Sequence, residues 1–195
     1  MPHALDTLLT WMGDSRLVLP VMAALGLLWW RRHPRVAYEW AAVLGLLAAT
    51  VVASKIAYKA FGVDWRTIGF FTVSGHSALA AALYPLLCYA LVAGAGASPR
   101  VRHAAVVLGG ALALAIAVSR VLTYRHTPVE IVTGLAVGLV VAWLMLRRWH
   151  GALAIPVRAT PVVIGAAMAA GLAVWLLPNV PAERVLSHIA WRIRS

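Results

Sequence analysis

Long apolar runs are the feature that most limits what this chain can fold into. Six of them lie at about 15–30, 37–54, 76–95, 104–121, 128–146 and 158–177. Each approaches the roughly 20 residues that an α-helix needs to cross the hydrocarbon core of a bilayer. A segment in lipid must pair its own backbone groups, so such runs form helices rather than single strands. The sequence therefore predicts an all-α polytopic membrane protein, a bundle of six transmembrane helices with short loops.

The composition favours a bilayer over water as the solvent. Hydrophobic residues make up 63% of the chain and charged residues 12%, whereas soluble domains have about 45–50% and 25%. The net charge of +11 does not indicate a nucleic-acid partner, because the basic residues lie at the ends of apolar runs. We expect a single transmembrane domain over residues 1–195, with an interfacial helix at 1–14 and an outward-facing tail at 178–195. The oligomeric state stays open.

The distribution of arginine suggests an orientation. Three short loops, at 31–35, 100–102 and 147–158, together carry eight Arg, and the positive-inside rule places such loops in the cytoplasm. The opposite side carries nine basic residues, but five of them belong to the clusters described below and two lie at the extreme C-terminus. We therefore expect those clusters on the outer, periplasmic face of a bacterial inner membrane. The tryptophans at the ends of the runs, Trp29 and Trp40 among them, predict two interfacial belts.

Three polar clusters are predicted on that outer side. They are Lys59-x6-Arg66, Ser74-Gly75-His76 and Ser119-Arg120-x5-His126-x3-Glu130. The cationic side chains of the clusters can only donate hydrogen bonds, which suits a phosphate group. A helix that begins at Ser74-Gly75-His76 offers free N–H groups and a partial positive charge to an anion. The histidines supply a nucleophile and a general acid for phosphoryl transfer.

His126 and Glu130 are four residues apart, so on one helix they would share a face. The carboxylate could then hold one imidazole nitrogen and leave the other free to attack phosphorus. Thr127-Pro128-Val129-Glu130 also has the pattern of a helix capping box with proline at the first position. Glu130 thus either orients His126, or closes the helix N-terminus, or does both.

The three clusters resemble the motifs of the type 2 phosphatidic acid phosphatase family of membrane lipid phosphatases, whose pattern is K-x6-R-P, P-S-G-H and S-R-x5-H-x3-D. The resemblance implies that His126 is the nucleophile that becomes a phosphohistidine and that His76 is the general acid. It implies phosphate binding by Lys59, Arg66, Ser74, Gly75 and Arg120, and it places Glu130 where the family has its orienting Asp. It implies no metal ion and no cofactor, and the sequence contains no HExxH motif or Cys/His ligand spacing.

The chain departs from this pattern at three positions. Thr67 and Val73 replace prolines, which we expect to loosen the loop without removing a reactive group. Glu130 replaces Asp, and its extra methylene would move the carboxylate by about 1 Å, a displacement that can cost about 100-fold in rate. We expect a working but slower enzyme, or a helix that has shifted to compensate.

The resemblance implies a phosphatase for a lipid phosphomonoester or diphosphate, such as undecaprenyl diphosphate, phosphatidylglycerophosphate or phosphatidic acid. A lipid phosphotransferase would use the same residues, and a catalytically degenerate membrane protein is the non-enzymatic alternative. Arg125 and Tyr124 are candidates for further substrate contacts, and Lys55 is either another such contact or an interfacial lysine.

Overall fold

A computed structural model describes residues 3–176 and 182–194, and these residues form an all-helical protein. Its α-helices are α1 His3–Gly13, α2 Ser15–Trp30, α3 Pro34–Phe61, α4 Gly75–Gly94, α5 Pro99–Leu122, α6 Pro128–Trp149, α7 Thr160–Leu176 and α8 Ala182–Arg194. Short 3-10 helices at Arg66–Ile68 and Val157–Ala159 lie between them. The all-α fold class is as the sequence predicts. Part of the predicted tail at 178–195 lies outside the described residues.

The predicted count of six spanning helices is not confirmed. Among the described residues, α3, α4, α5 and α6 are long and apolar enough to cross a membrane, and the bent pair α1–α2 would make a fifth span. The other apolar runs give shorter helices, since α2 has 16 residues and α7 has 17. At 1.5 Å per residue each is about 25 Å long, less than the roughly 30 Å hydrocarbon core.

Helix α3 extends well beyond its apolar run. Proline occupies its first position, and it continues to Phe61, where Gly62 ends it in the left-handed conformation with φ of 67°. Glycine reaches that conformation without the steric penalty of a side chain. Lys55 and Lys59 therefore lie in the last turns of α3. The apolar run, which ends at residue 54, had suggested that they lie in the following loop.

Helix α4 is the centre of the bundle. It packs between α5 and α6, and most of its apolar stretch is buried. The approach is close because glycines face it: a Cβ at Gly109 of α5 would collide with the Tyr84 carbonyl oxygen, and one at Gly138 of α6 would collide with that of Ala78. Small residues of this kind let helix backbones approach one another within membranes.

Helix α2 packs against α3 and α7, and α8 lies along α3. The prediction that all the flanking tryptophans face headgroups is wrong for Trp29 and Trp40. Both side chains are buried against protein and meet edge to face, with ring centroids 5.6 Å apart. The indole N–H of Trp29 donates to the Leu153 carbonyl and that of Trp40 to the Met22 carbonyl. A buried indole needs such an acceptor, and these two obtain it from backbone rather than from the interface.

Candidate functional site

The cluster that begins α4 and the cluster that ends in Glu130 meet where the start of α4, the end of α5 and the start of α6 come together, and Lys55 at the end of α3 acts electrostatically on the histidines of both. The Ser74 amide donates to the Glu130 carbonyl oxygen at 3.2 Å. The Thr127 hydroxyl donates to the Gly69 carbonyl oxygen at 2.6 Å. These bonds join the loop before α4 to the loop before α6, although 58 residues separate Gly69 from Thr127 along the chain.

Glu130 holds His126 and caps α6 with the same carboxylate. Its Oε2 lies 2.8 Å from His126 Nδ1 and accepts from the Thr127 amide at 3.1 Å. The Thr127 hydroxyl accepts from the Glu130 amide in return, which completes the capping box. Both uses of Glu130 that the sequence allowed are therefore present together. His126 itself precedes α6, so the prediction that both residues stand on one helix face is wrong, and the bond is made from the loop.

The other carboxylate oxygen of Glu130 fixes the backbone before α4. Glu130 Oε1 accepts from the Thr72 amide at 2.8 Å and from the Thr72 hydroxyl at 3.2 Å. The Glu130 side chain is only 6% exposed, and a buried carboxylate of this kind depends on such donors. One side chain thus links the loop that carries His126 to the loop that leads into Ser74.

Val73 makes a hydrogen bond that proline could not make. Its amide donates to the Ser54 hydroxyl of α3 at 3.0 Å. A proline at this position would fix φ but would have no N–H to offer. The expected loosening of this loop is therefore opposed by an anchor to α3, next to the anchor that Thr72 forms with Glu130.

The start of α4 has the features of an anion cradle. Ser74 is fully buried and is the N-cap residue, with its hydroxyl 3.5 Å from the Ser77 amide and accepting from the Ser77 hydroxyl at 2.9 Å. A Cβ at Gly75 would only reach ordinary contact with Val51, at 3.4 Å. Packing within the protein therefore does not require glycine at Gly75, and its missing side chain leaves room for a ligand to approach the backbone at the start of α4.

Arg120 is the charged group that lies beside the two histidines of the site. Arg120 is 8% exposed, and its Nη1 donates to the Thr10 hydroxyl at 3.0 Å. Its Nε is buried and has no hydrogen-bond partner among the described residues. Lys55 and Arg120 interact electrostatically with both His76 and His126. A buried guanidinium with an unused donor beside two imidazoles is suited to an anionic group.

The other predicted phosphate and substrate contacts have different partners in this structure. Lys59 donates to the Ser187 hydroxyl of α8 at 2.9 Å. Arg66 is paired with Asp64 at 3.0 Å and its side chain is 82% exposed, and Tyr124 is 97% exposed. Arg125 is also exposed, although it acts electrostatically on Arg120. Of the predicted cations, Arg120 and Lys55 are the ones that the structure associates with the histidines.

The electrostatics of the loop favour a neutral His126. Burial lowers the pKa of His126 below its ordinary value, and the hydrogen bond with Glu130 opposes that effect only in part. Because the Glu130 carboxylate can only accept, Nδ1 is assigned as the protonated nitrogen and Nε2 keeps its lone pair. A neutral imidazole with a free Nε2 is the form that can act as a nucleophile.

Sequence reasoning missed the contribution of the N-terminal region. Thr10 bonds Arg120, and a Cβ at Gly13 would lie 3.1 Å from His76 Cδ2. No motif marks either residue, because each acts through a contact with a distant part of the chain. Among the described residues, no group of three or more His, Cys, Asp or Glu side chains is arranged to hold a metal ion.

A model of the family described as the PAP2 superfamily matches residues 57–153, a segment that contains all three clusters. This segment of the chain belongs to the PAP2 superfamily. Members of this superfamily are generally phosphatases. The family match begins in the last turns of α3, and α1, α2, α7 and α8 lie outside it.

The chain is also similar to a protein of Klebsiella pneumoniae described as an uncharacterized 22.5 kDa protein in the cps region. The two are 37% identical over 133 residues, which cover 67% of this chain and 63% of the relative. The chain therefore spans less than two thirds of that relative's length. No solved structure matches this chain.

Proposed function

We propose that this protein is an integral membrane phosphatase that removes phosphate from a lipid phosphomonoester or diphosphate through a phosphohistidine at His126. The main observation that supports this proposal is the 2.8 Å contact between His126 Nδ1 and Glu130 Oε2. It leaves Nε2 free in a site shared with His76 and Arg120. Undecaprenyl diphosphate, phosphatidylglycerophosphate and phosphatidic acid are the candidate substrates.

In the first chemical step, His126 Nε2 attacks phosphorus, an N–P bond forms, and the bond from phosphorus to the lipid or leaving-phosphate oxygen breaks. His76, which is protonated once the anionic substrate is bound, donates its proton to that oxygen and becomes neutral. Negative charge on the transferred group is met by Arg120 and by the first N–H groups of α4. Lys55 adds positive charge, and Lys59 and Arg66 would join when a phosphate replaces their present partners.

In the second step, water attacks the phosphohistidine. His76, now neutral, accepts a proton from the water, the N–P bond breaks and inorganic phosphate leaves. Both steps use only side chains and water, so we propose a reaction that needs no metal ion.

Two features support a lipid as the substrate. The site lies at one end of helices that are long and apolar enough to cross a membrane, which suits a phosphate headgroup whose tail stays in the bilayer. An almost wholly apolar cavity of about 330 Å³ also lies between α2, α4 and α7, with Val18, Leu83 and Val163 in its wall. We place the site on the periplasmic face of a bacterial inner membrane, because the arginine-rich loops lie at the other ends of the helices.

The test is phosphate release by the purified protein in detergent, with EDTA present, from each of the three lipids. We expect release by the wild type and none by His126→Ala. Substrate labelled with 32P should also label the wild type, but not His126→Ala, at an acid-labile bond. A folded wild type that releases no phosphate from any of the lipids would contradict the phosphatase. Transfer of phosphate to an added acceptor would then indicate a phosphotransferase, and the absence of both reactions a non-enzymatic protein.

A further inference from the structure

The N-terminal helix reaches into the site from outside the family-matched segment. Residues 10–13 of α1 lie against α4 and α5, where His76 and Arg120 are located. We propose that Thr10 and Gly13 are positioning residues of the active site, Thr10 acting on the phosphate-binding Arg120 and Gly13 on the general acid His76. This inference rests on the proposed function for the roles of Arg120 and His76.

Thr10 sets the orientation of the Arg120 guanidinium. The Thr10 hydroxyl accepts from Arg120 Nη1 at 3.0 Å, and Arg120 is 8% exposed. Because a guanidinium is planar and rigid, fixing one of its nitrogens fixes the directions of the remaining N–H groups. The Nε is buried and has no partner among residues 3–176 and 182–194, so Thr10 is the acceptor that holds the guanidinium in place.

Gly13 sets the position of the His76 ring. A Cβ built on Gly13 would lie 3.1 Å from His76 Cδ2 and 2.6 Å from Ile116 Cγ2. Real Cβ atoms essentially never approach another heavy atom to 2.6 Å, so any side chain at Gly13 must displace α1, Ile116 or the imidazole. Cδ2 is bonded to Nε2 in the imidazole ring, and a shift of one atom therefore moves the other.

The segment is held rigidly enough to act in this way. The Tyr84 hydroxyl of α4 donates to the Met12 carbonyl oxygen at 2.5 Å. Asp14 caps α2 by accepting from the Arg16 amide at 2.8 Å and is paired with the Arg16 guanidinium at 2.9 Å. The turn between α1 and α2, which bends the chain by 46°, is thus fixed on both sides of Gly13.

The test compares Thr10→Val, Thr10→Ser and Gly13→Ala with the wild type, in kinetics on the preferred lipid and in binding of vanadate as a phosphate analogue. Thr10→Val keeps the shape of the side chain but leaves Arg120 Nη1 without its acceptor. One hydrogen bond to a charged group corresponds to a factor of about 10 or more. We expect KM and the vanadate dissociation constant to rise by about tenfold, and Thr10→Ser to restore both.

Gly13→Ala should lower kcat rather than weaken the binding of substrate or vanadate. We expect kcat to fall by about 3- to 10-fold with little change in vanadate binding, because the contact requires the imidazole to move by a few tenths of an ångström and a displacement of about 1 Å in a reacting group costs about 100-fold. The control is Thr50→Val on α3, where the hydroxyl bonds only the Leu46 carbonyl of its own helix. This control should match the wild type in every measurement.

The outcomes separate the two proposals. If the wild type binds vanadate but releases no phosphate from any lipid, the proposed function fails, and the effect of Thr10→Val on binding still decides the role of Thr10. If Thr10→Val binds vanadate and turns over as the wild type does, or if Thr10→Ser fails to restore a loss, the inference about Thr10 is overturned. Equal losses of kcat and of vanadate affinity in Gly13→Ala would indicate general disruption and overturn the role of Gly13.

Discussion

Replacing Glu130 by Asp should damage this protein, although Asp is what the family pattern has at that position. The Glu130 carboxylate bonds His126 Nδ1 at 2.8 Å and the Thr127 amide at 3.1 Å through one oxygen, and the Thr72 amide at 2.8 Å through the other. Removing one methylene withdraws the carboxylate by about 1 Å or more. A shorter side chain cannot keep all three bonds, because a 2.8 Å contact lengthened by that amount is no longer a hydrogen bond.

The size of the effect follows from which bond is lost. If the carboxylate stays with Thr72, the His126 imidazole loses its orientation, and misplacement on the scale of 1 Å costs about 100-fold in rate. If it stays with His126, the Thr72 amide is left buried without an acceptor, which costs about 1–3 kcal/mol of stability. For a chain of this size that corresponds to a fall of several degrees in Tm.

The assay measures kcat/KM on the preferred lipid and Tm for the wild type, Glu130→Asp and Glu130→Gln. Gln keeps the length of the side chain and removes its charge, so the two variants together separate the effect of side-chain length from the effect of charge. We expect Glu130→Asp to lose 10- to 100-fold in kcat/KM, several degrees in Tm, or part of each. If Glu130→Asp equals or exceeds the wild type in both measurements, the argument that this site needs the longer side chain is refuted.

Further predictions concern the pH dependence, the loop before α4 and the rim of the site. Because His126 must be neutral to attack and burial lowers its pKa below about 6.5, kcat/KM should fall on the acid side with a midpoint below that value. Glu130→Gln should move this midpoint to still lower pH, and an unmoved midpoint would argue against His126 as the titrating group. Ser54→Ala, which removes the acceptor of the Val73 amide, should cost about 1–3 kcal/mol, measured as a fall in Tm. Tyr124→Phe should change kcat/KM less than twofold, since that side chain is 97% exposed; a larger loss would place Tyr124 in contact with substrate.

The sequence predicted the helices well where apolarity and capping signals coincide. Helix α6 begins at Pro128 after the Thr127 cap, as its apolar run at 128–146 predicts, whereas α5 begins at Pro99, five residues before its run at 104–121. Helix α3 was underestimated because its apolar run ends at 54 while its backbone continues to Phe61. The last turns of a helix that carry Lys55 and Lys59 look like a loop when only hydropathy is considered.

Contacts between segments that are distant along the chain could not be predicted from the sequence. Thr10 and Arg120 are 110 residues apart, and a threonine in an amphipathic segment gives no sign of the guanidinium it will meet. The loss of proline at Val73 was interpreted only as a loss of stiffness. Yet any other residue at that position regains an N–H, and the partner of that N–H is supplied by Ser54 on another helix. The local pair Arg66–Asp64 was missed for a different reason, since motif spacing describes a liganded site and not the partners of an empty one.

The departures from the family pattern at Val73 and Glu130 act on the same short loop, and their effects should therefore be coupled. Ser54 anchors the Val73 amide from α3, and Glu130 anchors the Thr72 amide from α6. With either anchor in place the loop is still held, whereas loss of both lets it disorder, and each freed residue then recovers about 1–2 kcal/mol of ordering cost. Ser54→Ala and Glu130→Asp together should consequently lower stability by less than the sum of the single variants, with an interaction energy of about 0.5–3 kcal/mol in a double-mutant cycle of denaturation free energies. Strict additivity would mean that the two hydrogen bonds support the start of α4 independently. The departures from the family pattern at Glu130 and Val73 would then be unrelated changes.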